Sequence, residues 1–210
     1  MSEPQPAPER ADYKDEVRRI ASRSMEGLAE TKLTPTALTT AGVLTCIAGA
    51  VLVYFEYRNE LLFFWAGAAL FVLGSVLDIL DGALARAGGK STPFGAFIDS
   101  TTDRMGEAAM LGAIGLVFFR EGNEVALAFA FAAVVGSMLV SYTRAKAEML
   151  GLKGDVGFGS RAERVVVITG GLVLAPWGGL SWAIYLLTAS AWLTVGQRIW
   201  SVRSQLRDCA

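Results

Sequence analysis

The chain has 210 residues, 53% of them hydrophobic, with a formal net charge of -1 and no histidine. That apolar fraction is too high for an ordinary soluble protein, and a balance so near zero gives no support to nucleic-acid binding. Histidine is absent and Cys46 and Cys209 form no zinc or redox spacing, so any bound metal must be a hard, oxygen-ligated ion.

In chain order, the polar opening MSEPQPAPER leads into no apolar run and does not read as a signal peptide. Over residues 11–29, Tyr13, Val17, Ile20 and Met25 recur at a loose helical period among charged positions. This predicts an amphipathic helix on a membrane interface, with a solvated helix as the alternative. Thr34 reads as the N-cap and Pro35 as the first residue of the next helix. Apolar segments follow at about 36–56, 61–81, 96–119, 123–143, 162–178 and 180–198. A bilayer core needs roughly 20 helical residues, and most of these segments fit. The fifth is marginal, because Pro176 and Gly178–Gly179 break it from the sixth, which predicts a tight hairpin. The expected fold is an all-α integral membrane protein. Its N-terminal tail and interfacial helix take up residues 1–32, a domain of six transmembrane helices spans 33–205, and 206–210 form a short tail.

Alternate crossings leave only Arg58 and Arg120 on the side opposite the N-terminus, out of 19 Lys and Arg. Both termini should therefore be cytoplasmic. The end of the second span, the start of the third, the end of the fourth and the start of the fifth share that side. Asp78, Asp81, Asp99 and Asp103 consequently gather with Arg86, Lys90, Arg144 and Arg164 at one end of the bundle.

Asp78 and Asp81 are three residues apart, and Asp99 and Asp103 four apart, so each pair projects from one helical face. Glu107 continues the second stripe. Clustered carboxylates at membrane depth repel one another unless cations neutralise them. Two divalent ions between the helices would do so, and Mg²⁺ or Mn²⁺ suits an all-oxygen set. One alternative is that the acids only pair with Arg86, Lys90 and Arg104 to stitch helices together. Another is an ion-coupled membrane transporter. The glycines favour chemistry: Gly82 lets a phosphate approach the backbone, Gly95 stands opposite, and Arg86 offers a fork for phosphate oxygens. Metals, arginine and a glycine-lined gap describe phosphoryl transfer involving a lipid-soluble molecule.

The run Asp78-x2-Asp81-Gly82-x2-Ala85-Arg86-x8-Gly95-x3-Asp99-x3-Asp103 resembles the signature of the CDP-alcohol phosphotransferase family, at every fixed position. The likeness extends over roughly residues 33–205. It implies a homodimeric, multi-pass enzyme of the plasma (inner) membrane, which joins the phosphatidyl group of CDP-diacylglycerol to an alcohol and releases CMP. By the same resemblance, Asp78, Asp81, Asp99 and Asp103 are metal ligands, and Asp103 is also the general base. Gly82, Ala85, Arg86 and Gly95 border the nucleotide and its diphosphate. Thr39 fits the family's pattern at the entry to the first helix, where Thr36 departs from the usual Asn or Asp.

The stretches SYTRAKAE (141–148), GFGSRAERVV (157–166) and GQRIW (196–200) resemble the bacterial phosphatidylinositol-phosphate synthases, a branch of that family. The likeness makes Arg144, Arg164 and Arg198 candidates for holding the acceptor's phosphate, most simply that of inositol 1-phosphate. Positive-inside anchoring is the plainer alternative for these arginines. Glycerol 3-phosphate satisfies the same charge argument, so a phosphatidylglycerophosphate synthase is the main rival, ahead of enzymes using free inositol or serine.

Overall fold

A computed structural model of the chain describes residues 35–87, 92–157 and 160–208, with side chains throughout except at 35–36, 83–87 and 208. The expected interfacial helix at 11–29 and the Thr34 cap lie outside the described residues. Among those described there is no strand. The helices are α1 (Pro35–Tyr54), α2 (Glu60–Ala87), α3 (Pro93–Arg120), α4 (Glu124–Met149), α5 (Arg161–Val173) and α6 (Gly179–Asp208). Short 3-10 turns at Glu56–Arg58 and Ala175–Trp177 join α1 to α2 and α5 to α6.

Four of these helices are long and apolar enough to cross a membrane, over Ala37–Tyr54, Glu60–Gly82, Glu124–Met149 and Gly179–Arg207. The expectation of six such spans is met only in part. At 28 residues α3 has the length, but it carries Asp99, Asp103, Arg104 and Glu107 along one half. With 13 residues, α5 ends at Val173, short of the expected 178. The chain turns there through Pro176 and through Gly178, whose φ of 78° favours glycine. The hairpin is as expected, but it begins earlier.

Local chemistry sets the helix starts. Thr92 caps α3 by accepting the Gly95 N–H at 3.0 Å, with Pro93 in the first turn. Asn123 caps α4 through the Ala126 N–H at 3.0 Å. Ser160 and Glu163 form a reciprocal capping box that starts α5 at Arg161.

Packing centres on α1, which lies against both α2 and α3, while those two touch each other little. The close approach of α1 to α2 depends on glycine. A Cβ built on Gly74 would fall 2.6 Å from the Gly42 carbonyl oxygen and 2.5 Å from Cys46 Sγ. One on Gly49 would fall 2.8 Å from the Gly67 carbonyl oxygen. At the end of the bundle away from the aspartates, Arg120 bonds the Tyr54 carbonyl at 2.6 Å, pairs with Glu56 and lies over the Tyr54 and Tyr57 rings. Buried Phe71, Met110, Leu111, Ile114, Ile168 and Leu187 fill the core, while Leu73, Ile79, Phe131 and Leu186 point outward. Such an outer face suits lipid contact.

Candidate active site

Because α1 separates α2 from α3, the acidic half-turns of the two helices face each other across a gap. Asp78, Asp99 and Asp103 each direct a carboxylate oxygen to within 4.8 Å of the others. Asp81 lies on the same side of α2, only 2% exposed, with the buried Thr39 side chain beside it. Among the described residues, neither Asp81 oxygen is satisfied by a hydrogen bond of normal geometry. A buried carboxylate in that state costs more than the roughly 1–3 kcal/mol of a neutral unsatisfied group, unless a cation completes it. The convergence of three carboxylates, an orphaned fourth and a chain without histidine fits a hard divalent ion such as Mg²⁺ or Mn²⁺.

Arginine supplies positive charge facing this cluster; of the candidate stitching partners, the Arg86 side chain and Lys90 lie outside the described residues. Arg104 reaches Asp103 only at 4.0 Å and donates to the Ser100 carbonyl. Arg161, which the sequence reading passed over, pairs with Asp78 and lies 2.6 Å from Asp103. One turn along α5, Arg164 forms a buried fork with Glu107, Nε to Oε1 at 2.7 Å and Nη2 to Oε2 at 2.8 Å.

Beside the carboxylates opens a cavity of about 180 Å³. Arg144, Arg164 and Arg198 all line it, joined by Arg161 and Asp103. Their settings differ. Arg144 is exposed and pairs with Glu148 at 2.8 Å. Arg198 is buried and donates to the carbonyls of Val140 and, at 3.0 Å, Val156. Asp155 also lines the cavity, and no spacing in the sequence pointed to it.

Of the remaining candidates, Gly82 is half-buried on α2 just past Asp81, and Gly95 is exposed in the first turn of α3. Ala85 and Arg86 lie on the last turn of α2, with side chains outside the described set.

The family model described as CDP-alcohol phosphatidyltransferase matches residues 32–200. An archaetidylinositol phosphate synthase of Pyrococcus horikoshii is 35% identical over 192 residues, covering 90% of this chain and 94% of that protein. A phosphatidylinositol phosphate synthase of Mycobacterium tuberculosis is 34% identical, covering 88% of this chain and 86% of its own. Among solved structures, that mycobacterial synthase with CDP-DAG bound superposes with a TM-score of 0.77 at 30% identity, covering 88% of this chain and 94% of that one. The same synthase in complex with manganese and citrate gives 0.76 at 29% identity, covering 86% and 87%.

Proposed function

The chain belongs to the CDP-alcohol phosphatidyltransferase family, and on that premise we propose that it transfers a phosphatidyl group from CDP-diacylglycerol to the hydroxyl of inositol 1-phosphate, releasing CMP. The observation that carries this reading is the position of Asp103. It belongs to the carboxylate cluster and also forms part of the wall of the arginine-lined cavity. A phosphorylated alcohol held by the arginines would present its hydroxyl to Asp103 beside the site that grips the diphosphate.

In the reaction, Asp103 takes the hydroxyl proton. The oxygen attacks the phosphorus that carries the lipid, and the bond to the CMP oxygen breaks in line. Asp78, Asp81, Asp99 and Asp103 would hold two Mg²⁺ or Mn²⁺ ions, which supply charge neutralisation for the diphosphate and the leaving group. Arg144, Arg164 and Arg198 orient the acceptor phosphate. Gly82, Ala85 and Gly95 leave room for the nucleotide, Arg86 offers its fork to the diphosphate, and Thr39 supports Asp81 at its edge.

The membrane domain is residues 33–205, preceded by the tail and interfacial helix of 1–32 and followed by 206–210. All six helices lie in the plasma membrane as a multi-pass bundle, with α3 and α5 shielded by their neighbours. The distribution of Lys and Arg supports a cytoplasmic active site and cytoplasmic termini. The unit in the membrane is a homodimer, as the family likeness suggests.

The test is CMP release by the purified protein from one CDP-lipid, offered inositol 1-phosphate, glycerol 3-phosphate, free inositol and serine in competition. Inositol 1-phosphate should be preferred. Preference for glycerol 3-phosphate would overturn the acceptor, and preference for a neutral acceptor would undo the role of the arginines.

A further inference from the structure

Arg161 borders two sites at once. It lines a narrow pocket with Asp78, Asp103 and Cys46, and it also lines the cavity formed by Arg144, Arg164 and Arg198. Its guanidinium is engaged by Asp78 and Asp103, two of the three acids whose oxygens converge. A divalent cation bound there draws on the same two carboxylates and repels a guanidinium beside it. Arginine cannot resolve the conflict by losing a proton. It has to move.

The other three arginines of the cavity are held elsewhere in the protein: Arg164 by Glu107, Arg198 by two backbone carbonyls, and Arg144 by Glu148. None of those partners belongs to the converging carboxylates. Arg161 is tied to two of the acids that a metal would claim. It is also the first residue of α5, where the helix dipole favours an anion over a cation and does nothing to fix its side chain.

We propose that Arg161 is the positioning residue that couples metal loading to capture of the acceptor's phosphate. Arg161 neutralises Asp78 and Asp103 until a divalent ion is held there. It then turns into the arginine-lined cavity and adds its charge for an incoming phosphate. The coupling is reciprocal, so phosphate in the cavity must tighten metal binding by the factor by which metal tightens phosphate binding. The proposal rests on the phosphatidyl-transfer reading for the identity of the acceptor, and its test needs no turnover.

The full chain in detergent would be titrated with Mn²⁺, following free Mn²⁺ by electron paramagnetic resonance, with and without inorganic phosphate. In the unaltered protein, saturating phosphate should lower the Mn²⁺ Kd by about tenfold. In Arg161→Ala, Mn²⁺ should bind more tightly than in the unaltered protein when phosphate is absent, and phosphate should change its Kd by less than about twofold. Arg161→Gln, which keeps a polar side chain without the charge, should behave in the same way and guards against a folding failure of the alanine variant. Undiminished phosphate dependence in the neutral variants would mean that metal and phosphate interact directly, and would overturn the proposal. Weaker Mn²⁺ binding in either variant would overturn it too. CMP release with no Arg161-dependent coupling would reject this inference alone, whereas absence of CMP release would reject the phosphatidyl-transfer reading.

Discussion

Glu107 and Arg164 meet through two parallel hydrogen bonds, at 2.7 and 2.8 Å, with side chains 7% and 6% exposed. The pair joins α3 to α5 and sets one guanidinium in the wall of the arginine cavity. Removing one member of a buried pair costs about 3–5 kcal/mol, because the other charge is left behind. Arg164→Ala should therefore lower the melting temperature by about 10 °C as well as raising the KM for inositol 1-phosphate. Arg144→Ala separates the two effects. Its exposed pair with Glu148 contributes little stability, so thermal unfolding should be unchanged while the acceptor KM rises about tenfold. Equal melting temperatures for the two variants would contradict the structural role of the buried fork.

Asp103→Asn keeps the shape of the residue but removes the proton acceptor. Turnover should fall by roughly 10²–10⁴-fold, the usual contribution of a general base, with CDP-diacylglycerol binding better preserved. Equal losses in turnover and binding, measured by single-turnover kinetics and by equilibrium binding, would make Asp103 chiefly a metal ligand.

Asp81 is buried, and among the described residues neither of its oxygens has a hydrogen bond of normal geometry, so a bound ion should stabilise the fold. Mg²⁺ should raise the melting temperature of the chelated protein by mass action and restore CMP release lost to EDTA. Asp81→Asn should melt higher than the unaltered protein under chelation, gain less from Mg²⁺ and lose activity. A lower melting temperature in EDTA would refute the reading of Asp81 as an unsatisfied ligand.

Gly74→Ala would drive a methyl group into the Gly42 carbonyl and Cys46 Sγ. Forcing extra atoms into a packed contact costs about 1–3 kcal/mol. On α3, Gly112 has nothing within 4 Å of a built Cβ, so Gly112→Ala should be neutral or stabilising by roughly 0.5–1 kcal/mol. Thermal unfolding of the two variants in one detergent makes the comparison.

The apolar segments located the helices because burial and lipid contact both select apolar side chains, but they placed the ends less well. Beyond the fourth and sixth segments, α4 continues to Met149 and α6 to Asp208, since backbone hydrogen bonding persists where a helix turns polar. Asp78, Asp81, Asp99 and Asp103 stood out because charge is rare in such runs. Arg161 did not, because a basic residue at a helix start on the cytoplasmic side reads as an anchor, and nothing local links it to an aspartate 83 residues earlier. One signal was available: Ser160 and Glu163 have the spacing of a capping box. That spacing puts Arg161 and Arg164 on adjoining turns of one helix, so a site for one suggested a site for the other.

The shortness of α5 bears on depth. At 1.5 Å per residue its 13 residues span about 20 Å, against a hydrocarbon core of about 30 Å. Trp177, 67% exposed just past its far end, is the kind of side chain that settles at the lipid–water boundary. With that end at one boundary, Arg161 stops about 10 Å short of the other and Arg164 about 15 Å. The acceptor would then have to descend below the headgroups to meet the lipid's phosphorus, and the CDP-lipid could react without rising out of its leaflet. A spin label carried by Ala162→Cys should accordingly report a position beneath the phosphate plane. A reading at or above that plane would place the chemistry at the surface.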